Sequence, residues 1–386
     1  MYNFDEIIDR QNTNSVKYGT GMMMNPDLPK DHIPMWIADM DFACPQPVLD
    51  AMKDRLDKKI LGYSMLLDPE YYGAVVTWMQ RRYGWTISPS SIVFSAGVIK
   101  ALQVSVDKLT APTDGVILNT PAYHPFDDAV RLYGRTPVYS PLVNVNGHYT
   151  IDFADLERKA AEPGNTLFFL CNPHNPSGRV WTEDELRRIA EICFANDVFI
   201  VSDEIHADII REGQVHIPLA KLYPNEKRII TCTAPSKTFN LAGNHHANLI
   251  ISDPDLAAEW LQKRFCGMPT ALGIDACKAA YTYCDDWVKS MNDYVDENFK
   301  LVKKRLEEEL PQARFNIAEG TYLAWIDMRA FHRTDKELKK LISGNGLLIE
   351  YGPDFVQDGD GFIRINLACP RSLVNKAMDI LSKSLG

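Results

Sequence analysis

Arg228-Ile229-Ile230-Thr231-Cys232-Thr233-Ala234-Pro235-Ser236-Lys237-Thr238-Phe239-Asn240-Leu241-Ala242-Gly243 begins as a β-branched apolar run and ends as a loop. A second such run follows at Ala247-Asn248-Leu249-Ile250-Ile251-Ser252. Both runs read as buried strands, which puts Lys237 on a loop at a strand end. Lysine is seldom buried unless its charge is paired or removed. Condensing the amine with an aldehyde as a Schiff base removes the charge, so the position suggests pyridoxal phosphate. An exposed loop lysine is the alternative, and the rest of the chain has to decide between them.

Outward from this stretch, short apolar strands alternate with helices. Ile92–Ser95 precedes a helix through Leu109, Gly115–Asn119 a helix through Leu132, and Thr136–Tyr139 a helix over 152–161. Strands follow at Thr166–Cys171 and Asp197–Ser202. The helix between those two opens on a capping box, Thr182-Glu183-Asp184-Glu185. The alternation predicts an α/β fold, a mostly parallel sheet sandwiched by helices, with ligands bound beyond the strands' carboxyl ends. Cys171, Ser202 and Thr233 would then deliver three motifs to one crevice.

Helices are also predicted over Val48–Leu56 and Tyr71–Tyr83, with the loop carrying Tyr63 between them. Residues 1–45 hold turn formers such as Asn25-Pro26-Asp27 and read as an N-terminal arm joining the small domain. Residues 46–285 read as the large domain, and 286–386 as a smaller α/β domain entered by a charged helix from about Asp285 to Leu310. The small domain reads strand Tyr322–Ile326, helix Asp335–Ile342, strands Leu347–Glu350 and Phe362–Leu367, and helix Arg371–Leu385. The run Lys303-Lys304-Arg305-Leu306-Glu307-Glu308-Glu309 reads as a solvated helix face with i,i+4 pairs.

Forty-one basic against 51 acidic residues give a net charge of −10, which argues against nucleic acid and anionic membranes as partners and for small molecules. The start Met1-Tyr2-Asn3-Phe4-Asp5-Glu6 has neither a basic flank nor an apolar core, and a cytoplasmic location is expected. Eight cysteines are scattered without a Cys-x-x-Cys pair and read as buried free thiols.

Tyr63, Ser95-Ala96-Gly97-Val98, Tyr123, Asn172-Pro173-His174-Asn175-Pro176-Ser177-Gly178, Ser202-Asp203-Glu204-Ile205-His206, Lys237 and Arg364 follow one another along nearly the whole chain. Their order and spacing resemble the class I/II, fold-type-I pyridoxal-phosphate enzymes. The phrases Pro34-Met35-Trp36-Ile37-Ala38-Asp39-Met40-Asp41-Phe42, Gly62-Tyr63-Ser64 and Arg364-Ile365-Asn366-Leu367-Ala368-Cys369-Pro370-Arg371 look like the cystathionine β-lyase (cysteine-S-conjugate β-lyase) branch.

The resemblance implies Lys237 as the Schiff-base lysine and general base, and Asp203 as the anion beside the pyridine nitrogen. It implies Asn175 and His206 at the cofactor's phenolic oxygen, Tyr123 stacked on its ring, and Gly97, Val98, Ile99 and Ser236 at its phosphate. Ala38 and Arg364 would bind the substrate, Arg364 through its carboxylate, and Tyr63 would reach a neighbour's phosphate, making the active unit a homodimer with shared sites. Plainer readings stand beside these: a turn or N-cap aspartate, a turn asparagine, a core tyrosine, and a structural ion pair for Arg364. Asp203, Glu204 and His206 could suggest a metal, but a strand's period of two separates 203 from 204, and no metal is expected.

Many class I aminotransferases carry a phosphate-binding arginine eight residues after the lysine, whereas this chain has His245 there, as the β-lyase branch lacks that arginine too. The expected function is therefore a carbon–sulfur β-lyase acting on cystathionine, cysteine or related S-conjugates. An aminotransferase is the alternative within enzymes, and a cofactor-bearing protein that binds a regulator the alternative outside them.

Overall fold

In the computed structural model, residues 2–26 and 28–386 are described; Met1 and Asp27, the latter in the expected Asn25-Pro26-Asp27 turn, lie outside the described residues. The large sheet has eight strands: β1 (Ile92–Ser95), β2 (Gly115–Thr120), β3 (Thr136–Val145), β4 (His148–Ile151), β5 (Asn165–Cys171), β6 (Phe199–Asp203), β7 (Ile229–Thr233) and β8 (Ala247–Ile251). Their spatial order is β1-β8-β7-β6-β5-β2-β3-β4. The pairs from β7 through β6, β5 and β2 to β3 are parallel, while β8 runs antiparallel to both its neighbours and β4 closes a hairpin on β3.

Strand alternation sends the side chains of β5 to opposite faces: Phe168 and Leu170 join one core cluster, Leu167, Phe169 and Cys171 the other. Helices Val98–Leu109 and His124–Leu132 cover the second face, and Glu183–Ala195 and Ala271–Tyr283 pack on the first. The doubly covered parallel sheet is the expected architecture.

Three sequence expectations need amendment. Ala271–Tyr283 was not anticipated because Ala271, Gly273, Ile274, Ala276, Cys277, Ala279, Ala280 and Tyr281 are all buried, which leaves only a narrow polar stripe of Asp275, Lys278 and Thr282. Thr136–Tyr139 continues to Val145, because β4 supplies a hairpin partner. Leu347–Glu350, read as one strand, is two: Leu347–Leu348 pairs with Ile33–Pro34 of the N-terminal arm, whereas β10 (Glu350–Tyr351) pairs with β11 (Phe362–Asn366) beside β9 (Leu323–Asp327). The arm is thus hydrogen-bonded to the C-terminal part of the chain, and helix Asp285–Glu309 and its core residues run continuously between the two sheets.

The capping box forms as read. Glu185 N donates to Thr182 Oγ1 at 3.2 Å and Thr182 N to Glu185 Oε2 at 2.8 Å, so both otherwise orphaned amides are satisfied. The pairs Lys303–Glu307 and Lys304–Glu308 line the solvated face of the long helix. Loss of a cap costs about 1 kcal/mol. Thr182→Ala should therefore lower the unfolding free energy by that amount, and the denaturation midpoint with it, and Thr182→Ser should not; equal midpoints for all three proteins would contradict the cap's role.

Candidate active site

The parallel strands β5, β6 and β7 end side by side, and each feeds one motif. Cys171 closes β5 before the Asn172–Gly178 loop, Asp203 is the last residue of β6, and Lys237 sits in the short helical turn Pro235–Thr238 after β7. A cavity of about 290 Å³ opens at these ends. It is lined by Ala38, Gly97, Val98, Ile99, Tyr123, Asn175, Asp203, His206, Ser236 and Lys237, among others. Of the residues singled out from the sequence, only Tyr63 and Arg364 lie outside this lining.

Lys237 Nζ donates to the carbonyl of Ala38 at 2.6 Å. Desolvation lowers its pKa from 10.5 to about 8, with Arg364 pushing the same way and Asp39 and Asp203 opposing. The amine can therefore be neutral, and so nucleophilic or basic, close to physiological pH. Asp203 is buried, and desolvation raises its carboxyl from 3.8 to about 7 against one backbone donor, Ile205 N at 3.0 Å, and the pull of Lys237. A buried carboxylate with so few donors is suited to a cationic partner. His206 is buried with Nδ1 unpartnered among the described residues, and burial drives its pKa well below 6.5, so the ring is neutral and one nitrogen can donate. Its ring meets Tyr322 edge-on at 5.9 Å, and Tyr322 also donates to Ala38 O, at 3.0 Å.

Glu204 faces away, as period two requires. It accepts from Ser202 Oγ at 2.8 Å and Leu219 N at 3.2 Å and meets His216 Nε2 at 2.9 Å. No group of three or more His, Cys, Asp or Glu is placed to hold a metal among the described residues.

At the other end of the cavity, helix Val98–Leu109 starts directly after Gly97, whose φ of +112° is a conformation side-chain-bearing residues avoid. Gly97 has no side chain to cap the helix, so the first-turn amides are open to an anion. Ser236 is half-buried beside it, with Oγ 3.4 Å from the carbonyl of His246, and exposed His245 stands at the rim.

Arg364 is buried, and the structural ion pair weighed from the sequence is present: Glu350 faces it across the β10–β11 register and contacts Nη2. Its Nη1 donates to Asn175 Oδ1 at 2.8 Å, Nη2 to the carbonyl of Trp36 at 3.1 Å, and Nε has no partner among the described residues. Arg364 therefore borders the cavity through Asn175. Tyr63 is fully exposed, on a loop that also exposes Ile60, Leu61, Met65 and Leu67.

Several neighbours of Lys237 carried no role in the sequence reading. Asn240 donates to Met40 O at 3.0 Å and Phe42 O at 2.9 Å and accepts from Met40 N at 3.2 Å, fastening the lysine loop to residues 40–42. Arg10 forks onto Asp39 at 2.6 Å and Asp41 at 2.9 Å, and fully buried Lys17 meets Asp41 at 2.7 Å. Neither these pairs nor Glu350 opposite Arg364 could be found from spacing, because they join segments remote in sequence. An acidic pair at 39 and 41 in an apolar stretch was the one available signal.

Residues 30–381 match the aminotransferase class I and II family, and the chain belongs to it. It is 40% identical over 373 residues to the cystathionine beta-lyase PatB of Bacillus subtilis, covering 95% of each chain. The PLP-bound C-S lyase from Staphylococcus hominis superposes with a TM-score of 0.94 at 41% identity, over 100% of this chain and 98% of that one. Cystalysin from Treponema denticola, whose crystal structure contains a pyridoxal 5'-phosphate cofactor, superposes with a TM-score of 0.96 at 37% identity, over 100% and 99%.

Because Asp203 binds its proton more tightly folded than unfolded, the fold loses stability as pH rises from 3.8 through about 7, and the full cost stands above that. Asp203→Asn keeps an acceptor for Ile205 N and removes the charge. Cofactor-free Asp203→Asn should unfold at a higher temperature than the cofactor-free parent at pH 8, with the gap narrowing as pH falls toward 4. Identical midpoints at pH 8 would show that the carboxylate carries no such cost.

Proposed function

We propose that this protein is a pyridoxal-phosphate-dependent carbon–sulfur β-lyase that cleaves cystathionine or related cysteine S-conjugates to a thiol, pyruvate and ammonia. The observation that carries the reading is the pairing in one cavity of Lys237, its amine lowered to about 8, with the buried carboxylate of Asp203. The family and the lyases similar in sequence and structure over the full chain support it.

The residues present fit the cofactor. Asp203 would hold the pyridine nitrogen in its charged form, Asn175 and His206 the phenolic oxygen, Tyr123 the ring face, and the amides of Gly97, Val98 and Ile99 with Ser236 the phosphate. When bound, pyridoxal phosphate supplies the aldehyde that Lys237 engages and a ring that accepts the electrons left at the substrate's Cα. Lys237, when free, would be the base for the Cα proton, and its low pKa would keep it competent near neutral pH. Arg364 would hold the substrate carboxylate, its Nε being without a partner among the described residues and Asn175 fixing the guanidinium, while Ala38 lines the cavity. A thiolate then leaves Cβ readily, because its parent thiol has a pKa of about 8.5.

The arm of residues 1–45, the large domain 46–285 and the small domain 286–386 form the subunit in this reading, and Tyr63, fully exposed on its loop, would reach the neighbour's phosphate in a homodimer. Eight free cysteines fit a reducing, cytoplasmic setting. Among the described residues no helix is long and apolar enough to cross a membrane.

Incubated with L-cystathionine and no keto acid, the enzyme should release homocysteine and pyruvate over many turnovers, and borohydride should fix the cofactor on a peptide containing Lys237. Amino-group exchange between an amino acid and a keto acid, with no pyruvate from cystathionine, would instead make it an aminotransferase. Tyr63→Phe should weaken cofactor retention without unfolding the subunit; a fully active monomer in sedimentation would remove the shared-site arrangement.

A further inference from the structure

The phosphate end of the cavity is short of charge. A phosphate monoester carries about −1.5 to −2 at neutral pH, whereas a helix N-terminus offers the equivalent of about +0.5. Ser236 is neutral, and no arginine lines the cavity, Arg364 being engaged by Glu350 behind Asn175. Besides Lys237, the lining includes one further lysine or arginine among the described residues, Lys100.

Lys100 is the third residue of helix Val98–Leu109, one step beyond the amides of Val98 and Ile99. Helical side chains lean toward their N-terminus, so this position carries its amine back over the open first turn. It is half-buried and, among the described residues, has neither an ion-pair nor a hydrogen-bond partner. That sets it apart from Lys278, Lys159 and Lys17, each held by a carboxylate. A half-buried cation left unpaired at an uncapped helix start is placed for an anionic ligand.

We propose that Lys100 is the cation that pairs with the cofactor's phosphate, supplying the charge that His245 does not bring as an arginine would. The inference rests on the cofactor reading above and adds a residue to it. The full-length enzyme, stripped of cofactor and reconstituted, would be titrated with pyridoxal phosphate and with pyridoxal, which has no phosphate, following the visible absorbance. Lys100→Met should weaken pyridoxal phosphate binding about tenfold, equivalent to about 1.4 kcal/mol, and leave pyridoxal binding unchanged. Lys100→Arg should restore most of the loss, and added salt should weaken phosphate-form binding more in the parent than in Lys100→Met.

Unchanged affinity of Lys100→Met for pyridoxal phosphate would overturn the proposal, as would an equal loss for both ligands, which would mean a damaged helix start. In either case, borohydride labelling of Lys237 in the parent would leave the cofactor reading intact. Failure of the parent to bind either ligand would sink that reading and this one together.

Discussion

Residues 36–42, half-buried at 36–39 and buried at 40–42, lie outside any strand, and their backbone groups must find donors and acceptors elsewhere. The carbonyl of Trp36 takes Arg364, that of Ile37 takes Asn366, and that of Ala38 takes both Lys237 and Tyr322. Asp39 O receives Lys17 and Asn366, and Met40 O receives Arg10 and Asn240. Asp41 N donates to Ala368 O, and Phe42 O takes Asn240. The arm, the lysine loop and the C-terminal sheet are joined by one requirement, that an irregular segment leave no buried polar group unpaired. Lys237 is held at its post by the same requirement.

The site trades stability for reactivity. A lysine lowered to about 8 and an aspartate raised to about 7 are both groups that burial disfavours in the charged form. A core built only for stability would replace them with apolar residues or give each a close partner. Here Asp203 has one backbone donor and Lys237 one carbonyl, and the remaining capacity is left for a ligand. Glu204, one residue from Asp203, shows the contrast: it is just as buried, but Ser202, His216 and Leu219 satisfy it. Alternate sides of one strand end thus carry a settled carboxylate and an unsettled one.

Much of this was legible in the chain. Apolar runs of β-branched residues gave the strands, and the capping box at Thr182 marked a helix start, because these signals are local and each follows from one residue's own chemistry. The cavity lining followed from topology, since parallel neighbours necessarily end on the same side. Helix Ala271–Tyr283 escaped because burial of most of its faces leaves only a narrow polar stripe, and the split at Ile349 escaped because the two short halves are contiguous in the chain and are distinguished by which strand each meets.

The sequence alone determined most strands of the large sheet, the position of Lys237 after a buried strand, and the position of Asp203 and Asn175 just at or after the ends of two others. Only the tertiary structure decided the antiparallel course of β8, the placing of Glu350 opposite Arg364, and the fastening of residues 36–42 by Asn240, Arg10 and Lys17. The division has a physical reason. Periodicity and capping act over a few residues and leave a pattern in the chain, whereas strand direction, register and ion-pair partners depend on which distant surfaces pack together, and no spacing along the chain encodes that distance.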